Sequence, residues 1–265
     1  MNVYLRELKV HRLGLLFWSL GMLALVGAGM AKFAGYEEAG ESVEAILATL
    51  PRAVLVVFGM TGFDLSTASG FYGVLFLYVA VLGAVHAVGL GSTLVSKEER
   101  DRTSEFLFAK PITRGRALTG KLLAGLTNVV ILNLVTTVSS IYFVGFFGDG
   151  RASSTQIEVL MVGLLFLQLI FLALGALVAG VARRPKTASS RATSVMFLTF
   201  LVYYLVNLNE DLSFLRFVTP FKYFDAATLM ADGALDPVFV ALSVGIIALA
   251  VLGTYRFFAA RDLTV

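Results

Sequence analysis

The chain of 265 residues is 58% hydrophobic and only 15% charged, with a mean hydropathy of +0.84. Soluble domains carry about a quarter charged residues, so this composition excludes a soluble domain and indicates an integral membrane protein. The chain has no cysteine, which excludes disulfides and thiolate metal sites, and its net charge of +3 bears on orientation in the membrane and not on nucleic-acid binding.

The N-terminal twelve residues mix three basic side chains with apolar ones. This pattern fits a short amphipathic elbow helix lying on the inner membrane surface, and it fits a disordered basic start equally well. The apolar run that follows, residues 13–31, is longer than the apolar core of a cleaved signal peptide. We therefore expect it to be retained as a membrane anchor.

Six apolar stretches are long enough to cross a bilayer as helices, which takes roughly 17 to 25 residues. They cover residues 13–31, 71–95, 122–147, 157–182, 192–208 and 238–254, and their only charged side chain is Glu158, at the edge of the fourth. The shorter run 53–63 is predicted to lie at the interface or to re-enter the membrane. Since no segment shows the alternation typical of a membrane strand, the predicted fold class is all-α with six transmembrane helices.

Lysines and arginines are divided unevenly between the two sides of this arrangement. The N-terminus, the loops 96–121 and 183–191, and the C-terminus together carry 16 of the 21 basic residues. Because loops rich in lysine and arginine stay on the cytoplasmic side, both termini are predicted to be cytoplasmic.

The loop after the second span is predicted to contain a short cytoplasmic helix. Ser96 and Glu99 have the spacing of a capping box, which predicts a helix start there, and Pro111 predicts its end. The helix is charged in its first half and ends in the apolar tip Phe-Leu-Phe, residues 106–108. Such a tip needs cover, which either a partner protein or the headgroup layer would provide.

The stretch GRALTGKLL, residues 115–123, partly matches a phosphate-binding loop, because Gly115, Gly120 and Lys121 have the required spacing. That loop also needs a preceding buried strand and a hydroxyl after the lysine to hold magnesium, whereas Leu122 stands there and a membrane span follows. We therefore predict that the chain does not bind ATP through these residues.

Polar and aromatic side chains inside the spans mark a candidate substrate path. The path comprises Asn128, Asn133, Phe200, Tyr203, Tyr204 and Asn207. For the polar members, as for His86 and Gln168, hydrogen bonding between helices is the alternative role. The small-residue pairs Gly83/Ala87 and Gly175/Ala179 permit close helix approach, for which a dimer seam is one candidate.

The segment 209–237 is too polar to span the membrane but is rich in aromatic side chains. We predict short re-entrant helices that dip into the outer headgroup layer and cap the substrate path, and an ordinary solvated loop is the alternative. The predicted outer gate consists of Phe217, Pro220, Phe221, Tyr223 and Phe224.

The residues inside the spans bear on two function classes. An ion-coupled secondary transporter or channel, working without an ATPase, usually has a carboxylate or lysine at mid-membrane, and here only His86 could carry a proton. An intramembrane enzyme needs a catalytic constellation. The sequence has no H-E-x-x-H motif, and Ser92 lies about 240° around the helix from His86. We therefore predict no catalytic residue and no metal site.

Three stretches of the chain carry a family resemblance. The loop after the second span contributes Glu98, Glu99, Thr103, Glu105, Leu107, Pro111, Ile112, Thr113, Arg114, Gly120 and Lys121. PFKYFD at 220–225 and FFAARDL at 257–263 are the other two. With the six spans and the basic start, these residues resemble the permease subunits of ABC-2 type ABC transporters, although Arg102 stands where that family usually has glycine. The resemblance covers the whole chain, 1–265, as a single transmembrane domain.

The resemblance implies a division of labour between subunits. ATP and magnesium would bind two copies of a separate cytoplasmic ATPase, leaving the permease without a cofactor, and a second permease, identical or paralogous, would complete the transporter. The coupling helix to the ATPase would use Glu98, Glu99, Arg102, Glu105, Phe106, Leu107, Phe108 and Pro111. Nucleotide state would then switch the permeases between inward-facing and outward-facing arrangements in a prokaryotic cell membrane, with export the expected direction.

The division of basic residues yields a test of orientation. Single cysteines replacing Ser154 and Thr187 should react with a membrane-impermeant reagent from outside and from inside the cell, respectively. The cysteine-free chain is the control for background labelling. Labelling of position 187 from outside would contradict the six-span topology.

Overall fold

A computed structural model describes residues 2–39, 49–101, 112–148, 154–182 and 184–260. The helices are α1 (Val3–Ala39), α2 (Arg52–Val57), α3 (Ala68–Arg100), α4 (Arg114–Phe147), α5 (Ser154–Val181), α6 (Ala188–Leu208), α7 (Pro220–Tyr223), α8 (Ala226–Asp232) and α9 (Pro237–Ala260). Two 3-10 helices cover Pro185–Thr187 and Glu210–Phe217. These ranges contain no strand, so the predicted all-α class is confirmed for the described chain.

Six of these helices, namely α1, α3, α4, α5, α6 and α9, are long and apolar enough to cross a membrane. They contain the six predicted spans except for Ala182, which follows the end of α5, and so six apolar helices of membrane-spanning length are confirmed. The helices extend further than the apolar stretches because charged residues continue the helical backbone at their ends. In α3, for example, the helix continues from the apolar span through Lys97 and Glu98 to Arg100.

Helix α1 begins at Val3 and continues without interruption to Ala39. The predicted elbow is therefore not a separate helix, since its residues form the first turns of α1. Contacts with α4 explain this course. A Cβ atom added to Gly120 would lie 3.2 Å from the Val3 Cβ atom, and the Tyr4 hydroxyl lies 3.1 Å from the Thr127 hydroxyl.

Helices α3 and α5 form the centre of the bundle. Of their most apolar stretches 67% is buried, compared with 17% in α1, α6 and α9. Their backbones touch: a Cβ atom added to Gly91 would lie 2.1 Å from the Leu172 carbonyl oxygen, and one added to Gly175 would lie 2.4 Å from the Val88 carbonyl oxygen. Gly175 thus permits close approach as predicted, but the contact lies within one chain instead of at a dimer seam.

The capping-box prediction at Ser96 is wrong. Ser96 lies inside α3, and its hydroxyl donates to the Ser92 carbonyl oxygen at 2.8 Å, one turn back. A serine bonded in this way continues a helix and does not begin one. Instead Thr113 caps the next helix, because its hydroxyl oxygen accepts from the Arg116 amide at 3.3 Å.

Short helices connect α6 to α9, as predicted for the segment 209–237. The 3-10 helix Glu210–Phe217 is followed by α7 and α8, and Gly233, whose φ of 64° favours glycine, caps the C-terminal end of α8. On the same side of the bundle α2 occupies part of the predicted interfacial run 53–63. The Tyr204 hydroxyl on α6 donates to the Val57 carbonyl oxygen at 2.9 Å, which holds this segment against α6.

The α3–α5 contact predicts unequal effects for two neighbouring glycines. Gly91→Ala should lower stability by about 1–3 kcal/mol, because the new methyl group meets the backbone of α5 and pushes the helices apart. Gly89→Ala is the matched control, since its methyl group would enter open space. Thermal unfolding in detergent measures both. Equal melting temperatures for the two variants would contradict the close contact.

Candidate functional site

Charged side chains gather where the start of α1, the end of α3 and the start of α4 meet, which we call the basic end. Lys97 donates to a carboxylate oxygen of Glu7, and Lys121 donates to a carboxylate oxygen of Glu98. The Lys121 ammonium also donates to the Leu94 carbonyl oxygen at 2.7 Å. The cluster therefore joins three helices through two ion pairs.

Both ion pairs are removed from solvent. Glu7 is fully buried, and Lys121 is only 1% exposed. Burial of a charge is costly unless a partner and hydrogen bonds compensate, so these groups hold each other in place. Lys121 is accordingly a structural cation, and Gly115 and Gly120 lie within helix α4, with Gly120 packed against Val3.

The predicted coupling residues fall into two groups. Glu98 and Glu99 lie in the last turns of α3, where Glu98 is buried against Lys121 and Glu99 is half-buried. The others, Arg102, Glu105, Phe106, Leu107, Phe108 and Pro111, lie outside the described residues. Their role as an ATPase contact stays a prediction.

A cavity of about 260 Å³ lies at the opposite end, between α3, α6, α7 and the loop after α2; we call it the outer cavity. Aromatic rings line it together with two members of the predicted path, Tyr203 and Asn207. Phe221 of the predicted outer gate also lines it, with its ring centroid 5.0 Å from that of Phe200. The structure therefore brings two residues of the predicted path, on the fifth span, together with a residue of the predicted outer gate.

A polar network crosses this cavity from α6 to α7 and α8. The Tyr203 hydroxyl donates to an Asp225 carboxylate oxygen at 3.0 Å, and the Lys222 ammonium donates to the Asn207 amide oxygen at 2.7 Å. Lys222 and Asp225 are themselves 3.5 Å apart. Charge-assisted bonds thus link α6 to residues 222–225 along the lining of the outer cavity.

Four of the five outer-gate residues are packed into the protein. Pro220, Phe221, Tyr223 and Phe224 are buried, whereas Phe217 is 46% exposed. The Tyr223 hydroxyl donates to the Phe217 carbonyl oxygen, and burial raises the pKa of this phenol above its ordinary value. Residues 220–224 are thus packed against the bundle, whereas the preceding 3-10 helix Glu210–Phe217 has no buried residue.

A second cavity, of about 320 Å³, lies nearer the basic end between α1, α3, α4 and α6; we call it the histidine cavity. Asn128 of the predicted path lines it, together with His11, Trp18 and His86. The Trp18 and His86 rings meet edge to face at 5.3 Å. Three of the six predicted path residues therefore line two separate cavities, Tyr203 and Asn207 the outer one and Asn128 this one.

Asn133 lines neither cavity. Its amide donates to the Met161 carbonyl oxygen at 3.1 Å and lies 3.5 Å from the Gln168 amide oxygen. Asn133 thus forms hydrogen bonds between α4 and α5, which is the alternative role given above for the polar members of the path. Phe200 and Tyr204 also line neither cavity; their ring centroids are 4.8 Å apart, and both rings contact that of Tyr203.

Several residues of these sites were not singled out from the sequence. Glu7, Lys97 and Lys222 belong to charged segments that, in the sequence, indicate only membrane topology or an interfacial helix. Lys222 and Asp225 are three residues apart, and this spacing is a local signal from which an ion pair can be predicted. The long-range pairs had no such signal, because 90 residues separate Glu7 from Lys97.

Comparison with known proteins agrees with the architecture. A family model described as "ABC-2 family transporter protein" matches residues 1–263. A search of the curated proteins finds no match.

The buried pair at the basic end yields a prediction for stability. Lys121→Met should destabilise the protein by about 3–5 kcal/mol, because Glu98 would remain buried without its cation. The double variant Glu98→Gln, Lys121→Met should recover much of that loss, and Asp101→Asn, in an exposed pair with Arg100, should change little. Melting temperatures measure all three. A double variant no more stable than Lys121→Met would contradict the pairing.

Proposed function

Because this chain belongs to the ABC-2 family of transporter proteins, which are multi-pass membrane permeases of ABC transporters, we propose that it exports its substrate with energy from ATP hydrolysed in a separate subunit. The ATPase would be a cytoplasmic protein present in two copies, and it would hold the ATP and magnesium. A second permease, identical or paralogous, would complete the path. The chain itself would carry out no bond-breaking chemistry.

The observation that carries this proposal is the ion-pair cluster at the basic end. Glu98 and Lys121 lie on either side of residues 102–111, the predicted coupling segment, and they pair with each other. A force applied to that segment would therefore reach α3 and α4 together. Through the bond between Lys97 and Glu7 it would also reach α1.

Helix α3 offers a mechanical link between the two ends of the protein. It has 33 residues, about 50 Å of helix, with the ion pairs near its end and Gly73, Phe76 and Leu77 lining the outer cavity. A tilt of α3 driven from the basic end would change the wall of that cavity. This supports a cycle in which nucleotide-driven movement opens the closed network of Tyr203, Asp225 and Lys222.

The contact with the ATPase is proposed to use Phe106 and Phe108. An amphipathic helix with an apolar tip fits a hydrophobic groove on a partner protein, which is a common recognition mode. Glu98 would act from inside the permease by positioning the helix, since it is buried against Lys121.

The experiment compares co-purification and ATP turnover of the assembled transporter. Phe106→Ala with Phe108→Ala should remove roughly 3–5 kcal/mol of packing, and even half of this loss weakens association more than tenfold. The matched control is Phe17→Ala with Phe146→Ala, because these phenylalanines are 71% and 65% exposed on the spans. The control should retain the ATPase.

Two results would contradict the proposal. One is normal co-purification and normal turnover of the Phe106, Phe108 variant. The other is full transport by the chain reconstituted without any ATPase, which would favour an ion-coupled transporter or a channel.

A further inference from the structure

The first turns of α1 carry three cations that no carboxylate of the described chain neutralises. Arg6, Lys9 and Arg12 form no ion pair there, whereas Lys97 and Lys121 of the neighbouring cluster each have a carboxylate partner. Lys9 and Arg12 are exposed, and Arg6 is half-buried. The counter-ions of these three groups therefore come from outside the described chain.

Contacts between α1 and α3 give the depth of these cations in the membrane. Glu7 of α1 meets Lys97 of α3, and Trp18 meets His86, 11 residues away on each helix, so the two helices run antiparallel in register. Arg12, five residues after Glu7, is consequently level with the last turn of the apolar span of α3. Long basic side chains at this depth extend toward the head groups. The anions within their reach are the phosphates of membrane lipids.

A shallow groove on this face of α1 has the donors that a phosphate requires. The groove has a volume of about 440 Å³ and is lined by Asn2, Leu5, Arg6, Lys9 and Val10. The Asn2 side-chain oxygen accepts from the Tyr4 amide at 3.1 Å, so the NH2 group of the same side chain is the part that can donate to a ligand. Two cations and one amide thus border the groove, and none of its lining residues is acidic.

Apolar side chains continue this face of α1 into the membrane. Leu13 and Leu16 follow Lys9 by four and seven residues, which places all three on one side of the helix. The two leucines are 60% and 52% exposed. Exposed apolar residues on a membrane helix face the acyl chains. A lipid whose phosphate meets Lys9 therefore has a surface along which its acyl chain can lie.

We propose that this face of α1 binds the phosphate group of an anionic phospholipid in the leaflet next to the basic end. Arg6 and Lys9 hold the phosphate through charge-assisted bonds, Asn2 donates to it, and Arg12 adds attraction from one turn deeper. A zwitterionic lipid binds less well, because its ammonium group would meet the same cations. The inference extends beyond the proposed transport function, since binding here requires neither nucleotide nor the ATPase.

The absence of cysteine from the chain permits a local reporter. A bimane is attached to Val10→Cys, in the groove, or to Phe257→Cys, a reference position on α9 that is 45% exposed. Each labelled full chain is placed in phosphatidylcholine nanodiscs with increasing fractions of phosphatidylglycerol brominated on the acyl carbons nearest the glycerol. Quenching at position 10 should reach half its maximum at a mole fraction about fivefold lower than at position 257, the enrichment expected from one cation near the surface. Brominated phosphatidylcholine should quench both positions alike.

Paired variants separate a defined site from general attraction to positive charge. Arg6→Gln with Lys9→Gln should remove the enrichment at position 10, because the two cations that border the groove are lost. Lys186→Gln with Arg256→Gln is the matched control, since it removes the same charge from exposed positions outside the groove. The control should keep the enrichment. All four positions are exposed or half-buried, so these variants leave the buried core unchanged.

Four results would overturn the proposal. They are equal quenching curves at positions 10 and 257, equal enrichment of brominated phosphatidylcholine, loss of enrichment in the control pair, and displacement of the lipid by inorganic phosphate at constant ionic strength. The last result would assign the groove to free phosphate instead of a lipid. None of these results alters the ATPase co-purification test, so the two proposals can fail independently.

Discussion

The contact between the backbones of α3 and α5 is the constraint on which the rest of the structure depends. Gly91 and Gly175 lack the side chains that would separate the two helices, so the carbonyl groups of one helix lie against the glycines of the other. The four other long helices pack around this pair and keep much of their surface available to lipid. In a membrane, where apolar surfaces gain little from meeting each other, such close packing is a main source of helix association.

The charged groups at the basic end follow a second physical rule. A lysine or glutamate in a low-dielectric environment requires a partner, and here each of two lysines meets a carboxylate from another helix. The result fixes the relative positions of α1, α3 and α4 at the place where the predicted coupling segment leaves the bundle. At the other end Lys222 and Asp225 meet residues of α6 in the same way, so each end of the bundle is held by charges.

The two cavities differ in how far the protein satisfies its own polar atoms. In the outer cavity Tyr203, Asn207, Lys222 and Asp225 bond to one another. Moving α6 away from residues 222–225 would require these bonds to break. In the histidine cavity His86 keeps an unpartnered nitrogen atom.

The sequence alone determined the features that depend on composition and local pattern: six apolar spans, the all-α class, the family resemblance and the cluster of aromatic residues at 217–224. It also excluded a phosphate-binding loop, because the residue after Lys121 is a leucine and a membrane span follows. The capping-box pattern at Ser96 led to a wrong prediction. The Ser96 hydroxyl bonds to a carbonyl oxygen of the preceding turn of α3 instead of capping a new helix. Only the tertiary structure decided which residues pair across long separations, such as Glu7 with Lys97, and which asparagines line a cavity. The physical reason is that a side chain's partner depends on how helices rotate and approach, and that geometry is set by packing between segments far apart in the chain.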